Sequence, residues 1–271
     1  MNDDVIVATY VIIDTVLTAA GQRAHPLAQV SDAEVLTVAA VAAAYFQNHH
    51  ARALQVMQGM RYLSGRLSAS RFNRRLHALA PWFETLLETL GALFATGEAF
   101  VLDSLPVPVC RRVRARRCRK VRGKAYCGYC AAKREKFFGW RLHLVTTPAG
   151  VPVAFSLLPA ALHDLTPVHE LTFGLPAQAA AYADKAFNSK QDEASILAAT
   201  GVRLVPIRKA NMTPNPWLDR VALREHRKRI ETTNSQLEAM GLQRLRARTN
   251  AGFELKVHAS LLALTVINLS H

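Results

Sequence analysis

Gly139-Trp-Arg-Leu-His-Leu-Val-Thr-Thr147 alternates apolar and polar side chains, Pro148-Ala-Gly150 interrupts it, and Val151-Pro-Val-Ala-Phe-Ser-Leu-Leu158 resumes an extended apolar run. Strand, tight turn and returning strand is the reading these three pieces support together. Upstream, Ala99-Phe-Val-Leu-Asp-Ser104 is a short apolar run closing on an acid. Downstream, a helix fits Leu165 to Phe173, a strand Gln178 to Ala183, a helix Asp192 to Thr200, and a strand Gly201 to Ile207. A polar loop with Pro214 and Pro216 then leads into a long helix, Asp219 to Met240, and a last apolar helix, Phe253 to Leu269. From residue 99 the order is β-β-β-α-β-α-β-α-α. The first three strands suit an antiparallel meander and the later ones alternate with helices, so the expected class is α/β, a mixed five-stranded sheet flanked by helices.

The residues before 98 read as all helical. Val5 to Ala20 is an apolar helix, and Ser31-Asp-Ala-Glu34 is a capping box opening an Ala/Val-rich helix to Phe46. Further helices fit Ala51 to Tyr62 and Trp82 to Phe94. Between them, Phe72, Leu76 and Leu79 recur at helical spacing and would face inward, while Arg71, Arg74, Arg75 and His77 would point outward. A short basic helix after a turn has what a helix-turn-helix needs to meet DNA. A solvated face of a helical bundle would look the same. The expected division is therefore a helical region, 1–97, and a sheet-bearing region, 98–271.

Charge narrows the partner. The chain carries 34 Lys and Arg against 20 Asp and Glu, a net +14, which favours a polyanion. From Arg111 to Lys136 there are twelve Lys and Arg and one acid, Glu135, so this segment holds +11 of that charge. Arg111, Arg112, Arg114, Arg116, Arg117, Arg119 and Lys120 open it and are its candidate phosphate contacts. A membrane role is not expected: Val5 to Ala20 contains Asp14 and follows Asp3 and Asp4, and Leu261 to Leu269 falls short of the roughly 20 residues that span a bilayer. The four cysteines, Cys110, Cys118, Cys127 and Cys130, all lie in or beside the basic segment. Cys127-Gly-Tyr-Cys130 has zinc-like spacing but the other pair does not, so reduced thiols are expected rather than structural zinc. No aromatic-rich stacking motif points to RNA.

Three acids occupy special places. Asp103 is read at the end of the first strand, Asp184 directly after the fourth, and Glu231 within the long helix. Sites in open α/β sheets gather at the carboxyl ends of strands. Clustered carboxylates repel one another and stay ionised together most readily around hard cations, Mg²⁺ or Mn²⁺. Two such ions can assist an in-line phosphoryl displacement. Beside them, Lys185 is a candidate phosphate contact, and His163 and Asp164 are candidates to support the ligands from behind. Arg224, Arg227 and Lys228 line up on the helix with Glu231. They suit phosphates, although Arg227 and Glu231 are also spaced as an ordinary helix ion pair.

Val-Leu-Asp103-Ser-Leu-Pro-Val-Pro-Val-Cys110 resembles the first catalytic strand of the insertion sequence 982 family of bacterial DDE transposases. Phe138 to Leu144, Leu-His-Asp164, Tyr-Ala-Asp184-Lys-Ala-Phe187 and Arg227-Lys-Arg-Ile-Glu231-Thr-Thr-Asn-Ser-Gln-Leu237 resemble further blocks of that family in order. The resemblance implies a ribonuclease H-like core with Asp103, Asp184 and Glu231 as the metal-binding triad. It implies two Mg²⁺ or Mn²⁺ ions and DNA cutting and joining at element ends. Double-stranded DNA, both terminal inverted repeats and target, is the implied partner, met by a homodimer in the bacterial cytoplasm at the nucleoid. Related insertion sequence 4 transposases carry Tyr-x-x-Arg-x-x-x-Glu-x-x-x-x-x-x-Lys. Here Arg227 and Glu231 match, but Arg224 replaces the Tyr and Glu238 the Lys, leaving Arg224 or Arg229 to replace that lysine. A ribonuclease H-fold nuclease or resolvase without strand transfer, and an inactive DNA-binding regulator, stay open.

Overall fold

A computed structural model describes residues 1–23, 25–131 and 133–270. Five helices precede the first strand: α1 (Asp3–Ala19), α2 (Asp32–Phe46), α3 (His50–Gly59), α4 (Ala69–Ala78) and α5 (Ala80–Phe94). Then come β1 (Ala99–Arg111), β2 (Cys127–Cys130), β3 (Glu135–Thr146), β4 (Pro152–Pro159), α6 (Val168–Phe173), β5 (Ala180–Ala183), α7 (Lys190–Thr200), β6 (Arg203–Pro206), α8 (Trp217–Ala239) and α9 (Asn250–Leu269). The chain forms two compact units, residues 1–89 with 236–271, and residues 90–235.

In the sheet unit, β1 pairs antiparallel with β3 and parallel with β5, and β5 pairs parallel with β6. β2 and β4 share the other edge of β3, facing Glu135–Phe138 and Trp140–Thr146 respectively. The expected hairpin is therefore β3–β4, but the sheet has six strands rather than five. The additional one is β2. Four residues inside a basic segment carry little strand signal, and their ladder is completed only by the open end of β3. Gly128 is required there: a Cβ would lie 2.4 Å from the Phe137 ring.

β1 is also longer than expected, because Pro106 and Pro108 do not end it. Glu98 directs its carbonyl to Ala180 of the β5 side, so even-numbered residues of β1 point their backbone groups that way. β5 pairs only as far as Leu102. Pro106 and Pro108 thus face a side where no neighbouring strand needs an N–H, the place where a sheet tolerates proline.

Side chains alternate between two apolar layers. Phe100, Leu102, Ala181, Ala183 and Leu204 pack with Val168, Leu171 and Ile196 from α6 and α7. On the opposite face Ala99, Ala180, Tyr182 and Val205 pack with Ala222 and Leu223 of α8.

The helical unit is built around α2, whose residues Ala33–Ala43 are all buried. The capping box at Ser31 and Glu34 forms as expected. Phe72, Leu76 and Leu79 are buried and Arg71, Arg74 and His77 exposed, as their spacing requires. α9 packs in this unit rather than with the sheet, so the expected boundary between 97 and 98 does not place residues 236–271 where the fold does. The ties are specific: Asn48 donates to the Met240 carbonyl (3.0 Å) and Ser260 Oγ (2.9 Å), and Lys256 donates to the Asn48 carbonyl (2.7 Å). α9 is the one described helix long and apolar enough to cross a membrane, at mean hydropathy 1.2, yet 67% of that stretch is buried within the fold.

Candidate active site

Asp103 lies inside β1, not at its end, because the strand continues to Arg111. The position is still special. Parallel pairing of β1 with β5 stops at Leu102 and Ala183, so Asp103 and Asp184 are the next residues on two adjacent parallel strands. Alternation from Ala99 and Ala180 turns both toward the face that α8 covers. α8 settles there through Leu223, and His226 lies on the Tyr182 ring with centroids 4.8 Å apart. One helical stretch further on, Asn234 Nδ2 donates to Asp103 Oδ2 at 2.8 Å. Nothing in the sequence singled out Asn234. Its signal is its position, three residues after Glu231 on the same helix.

Electrostatics mark Asp103 out. Burial, the largest influence, pushes its carboxyl up to about 6 from 3.8; the charges of Asp184 and Asp164 push the same way. Hydrogen bonds from Asn234 and the Ser104 backbone oppose them without winning. A carboxylate whose charge is disfavoured by burial and by two other acids is one that a cation would favour. Its hard oxygen donors suit Mg²⁺ or Mn²⁺ rather than a soft metal.

Asp184 is exposed and opens a short turn, Lys185–Phe187. Phe187 is buried in the core, and Asn188 Nδ2 donates to the Ile207 carbonyl at 2.6 Å. Arg208 locks this turn from below, with two bonds to Glu193 (2.6 and 2.7 Å) and one each to Asn188 and Asn215. Lys185 is exposed beside Asp184.

The third expected acid is not gathered with the first two. Glu231 is 68% exposed and its carboxylate turns along α8 to Arg227 Nε, 3.3 Å away. Among the described residues no three of His, Cys, Asp or Glu are grouped closely enough to hold a metal ion. Glu231 nevertheless lies one helical turn from Asn234, and Cβ atoms three apart on a helix are about 5–6 Å apart.

Asp164 has a different environment. It accepts from wholly buried His143 Nε2 (3.2 Å) and from Arg141 Nη1 (3.3 Å). Burial disfavours its charge, but His143, Ser104 and Arg141 outweigh burial and hold its carboxyl below the ordinary range. His143 pairs with Ser104 across the β1–β3 ladder, so both sit on the face opposite Asp103. His163 is exposed, and its Nδ1 accepts from the Leu165 backbone in its own turn.

The basic residues are mostly at the surface. Arg111, Arg112, Arg114, Arg116, Arg117 and Arg119 are exposed and Lys120 is half-buried; Arg112–Arg117 forms a 3₁₀ turn following β1. Arg224, Arg227 and Lys228 are exposed on α8. Arg75 is the exception, half-buried and paired with Asp32. Burial and the adjacent Cys118 thiol push the Cys110 thiol up, and all four cysteines are free.

No curated protein and no solved structure matches the chain. A family model described as "Transposase DDE domain" matches residues 94–249, more than half the chain and the whole stretch carrying Asp103, Asp184 and Glu231. The chain belongs to the family of transposase DDE domains.

Proposed function

We propose that this transposase is of the insertion sequence 982 type, with a ribonuclease H-like core, and that it cuts and joins double-stranded DNA at element ends through Asp103, Asp184 and Glu231. The observation that carries the reading is the junction of β1 and β5. Two acids occupy consecutive positions past the last paired residues, on the face beneath α8, and Asp103 is destabilised as a free carboxylate. Asp103 and Asp184 would hold Mg²⁺ or Mn²⁺, and Glu231 would complete the set after leaving Arg227. Bound there, two divalent ions would activate the attacking oxygen and stabilise the leaving one.

The chain's own residues do the rest. Asn234 and the Ser104 backbone fix the Asp103 carboxylate. Arg208 keeps the turn after Asp184 in place. Arg227, once Glu231 turns away, is free to meet a phosphate together with Arg224, Lys228 and Lys185. The arginines opening the 111–136 segment grip the DNA backbone, and Arg71 and Arg74 bring DNA to the helical unit. Water attacks the phosphorus, the P–O3′ bond breaks and a 3′-hydroxyl and a 5′-phosphate are left; that 3′-hydroxyl then attacks a phosphorus of target DNA, whose own P–O3′ bond breaks to release the target's 3′-hydroxyl, so no covalent protein–DNA bond is needed. Joining two ends calls for a homodimer on DNA, and the bacterial cytoplasm, at the nucleoid, is where that substrate lies.

The test is a strand-transfer assay with a precut inverted-repeat end and Mg²⁺ or Mn²⁺. Joined product that disappears in Asp103→Asn supports the proposal; cleavage with no joined product makes the protein a nuclease. A second reading, a DNA-binding regulator without catalysis, draws on the Arg227–Glu231 ion pair. It requires DNA binding with no cleavage by the wild-type chain.

A further inference from the structure

The helical unit contains an open cleft of about 940 Å³ between the α1–α2 connection, the α3–α4 connection and α4. Arg23, Arg66, Arg71, Arg74 and Arg75 all line it, against a single acid, Asp32. The five guanidiniums are not equivalent. Arg75 donates to Asp32 through Nη2 and to the Val30 carbonyl through Nη1 at 2.7 Å, tying α4 to the start of α2. Asp32 also accepts from Gln22 at 3.1 Å, so both oxygens of the one acid already have partners. Arg23, Arg66, Arg71 and Arg74 are exposed, and among the described residues none of them has an ion-pair partner.

The walls are held rather than loose. Gln58 bonds both backbone groups of Leu67, at 2.9 and 3.2 Å, fixing the connection that presents Arg66. Buried Glu34 accepts from the Ser31 and Ser64 backbones and from the Ser64 hydroxyl, pinning the same connection to the start of α2. Ser68 caps α4, and Phe72 and Leu76 bury its other face, so Arg71 and Arg74 can point only outward. Four like charges are thus kept together by a scaffold that neutralises none of them, the arrangement that a polyanion with repeated phosphates relieves. Concavity decides what those guanidiniums reach. A base-reading helix must protrude into a groove, whereas here the free face of α4 forms the wall of a recess, which receives a convex sugar–phosphate ridge.

We propose that this cleft is a clamp for the DNA backbone, gripping phosphates with Arg23, Arg66, Arg71 and Arg74 irrespective of base sequence, while Arg75 is the fastener that shapes it. The inference rests on the DNA-transposase reading and adds to it a backbone site in which the exposed face of α4 does not read bases.

The test uses the full chain and fluorescence anisotropy with two duplexes, one an inverted-repeat end and one unrelated, across a salt series. In the Arg23→Gln/Arg66→Gln/Arg71→Gln/Arg74→Gln variant the slope of log K against log salt should shrink by roughly 3–4 for both duplexes, since each phosphate left without its guanidinium removes about 0.9. Should that variant not fold by circular dichroism, Arg71→Gln/Arg74→Gln should shrink it by roughly 2. Arg75→Gln should lower the melting temperature and leave the slope of its folded fraction unchanged. An unaltered slope, a loss confined to the inverted-repeat duplex, or an equal slope change in Arg75→Gln would each overturn the clamp. Metal-dependent nicking by the wild-type chain, run alongside, keeps the two claims apart. Nicking with an unaltered variant slope removes the clamp and leaves the proposed catalysis; binding through the cleft without nicking removes the proposed catalysis and leaves the clamp.

Discussion

Asp103 and Asp164 are both half-buried carboxylates near the same stretch of β1, and the fold drives them in opposite directions. Around Asp164 the protein supplies everything a carboxylate needs: a buried imidazole, a guanidinium and a hydroxyl, on the face turned away from α8. Around Asp103 it supplies one amide and one backbone N–H, then adds two more acids. The first arrangement is complete in itself. The second is left with a disfavoured charge, which the proposed cation would complete. On the proposed reading the same residue type is structural in one place and reactive in the other, and the difference lies in the neighbours rather than in the sequence around each acid.

The widest separation between the two should appear in catalysis. Asp103→Asn, Asp184→Asn and Glu231→Gln should each lower metal-dependent DNA cleavage by about 10³-fold or more, since each removes a ligand from charge stabilisation worth several kcal/mol. Asp164→Asn should stay within about tenfold when assayed well below its melting temperature. An Asp164→Asn loss as deep as that of Asp103→Asn would erase the distinction.

Stability should separate them with opposite signs. Asp164→Asn leaves Arg141 and buried His143 without their carboxylate and should cost about 2–3 kcal/mol in urea unfolding. Asp103→Asn, without added metal at pH 7.5, should gain about 2 kcal/mol by removing a disfavoured charge.

The pH dependence sharpens the same point. Asp103 has a folded pKa near 6, above its ordinary 3.8, so its contribution is fully present below about pH 4 and lost as pH rises to 6. Asp164 is depressed, so its contribution is present above the ordinary carboxylate range and lost as pH falls through its folded value. Unfolding free energies of wild type minus Asp103→Asn should fall by about 2–3 kcal/mol between pH 4 and 7. A flat difference would contradict the burial of Asp103.

The smallest effect should be on α8. Glu231→Gln and Arg227→Gln remove an exposed pair and should change unfolding free energy by only about 0.2–0.5 kcal/mol. A loss of several kcal/mol would mean that the pair holds the fold and that Glu231 is not free to turn.

Much of this was legible in the residues. Alternation in Gly139–Leu158 gave the β3–β4 hairpin, and the capping box gave α2. What escaped depended on contacts between distant residues. The length of β1 hinges on where β5 stops, and β2 exists because one end of β3 is open. α9 joins the helical unit through bonds from Lys256 to the Asn48 carbonyl and from Asn48 to the Ser260 hydroxyl that no local pattern announces. Asn234 drew no attention because an amide mid-helix is ordinary until it is found on Asp103. Glu231 lies in the long helix as its spacing indicates, but its side-chain rotamer, turned to Arg227, cannot be read from spacing.

The most direct test of the central claim is a crystal structure with Mn²⁺, read from anomalous scattering. Manganese bridging Asp103 and Asp184, with Glu231 rotated off Arg227 to reach it, is the result expected. Manganese absent from both aspartates at saturating concentration, or Glu231 still paired with Arg227 beside a bound ion, would contradict the three-carboxylate site.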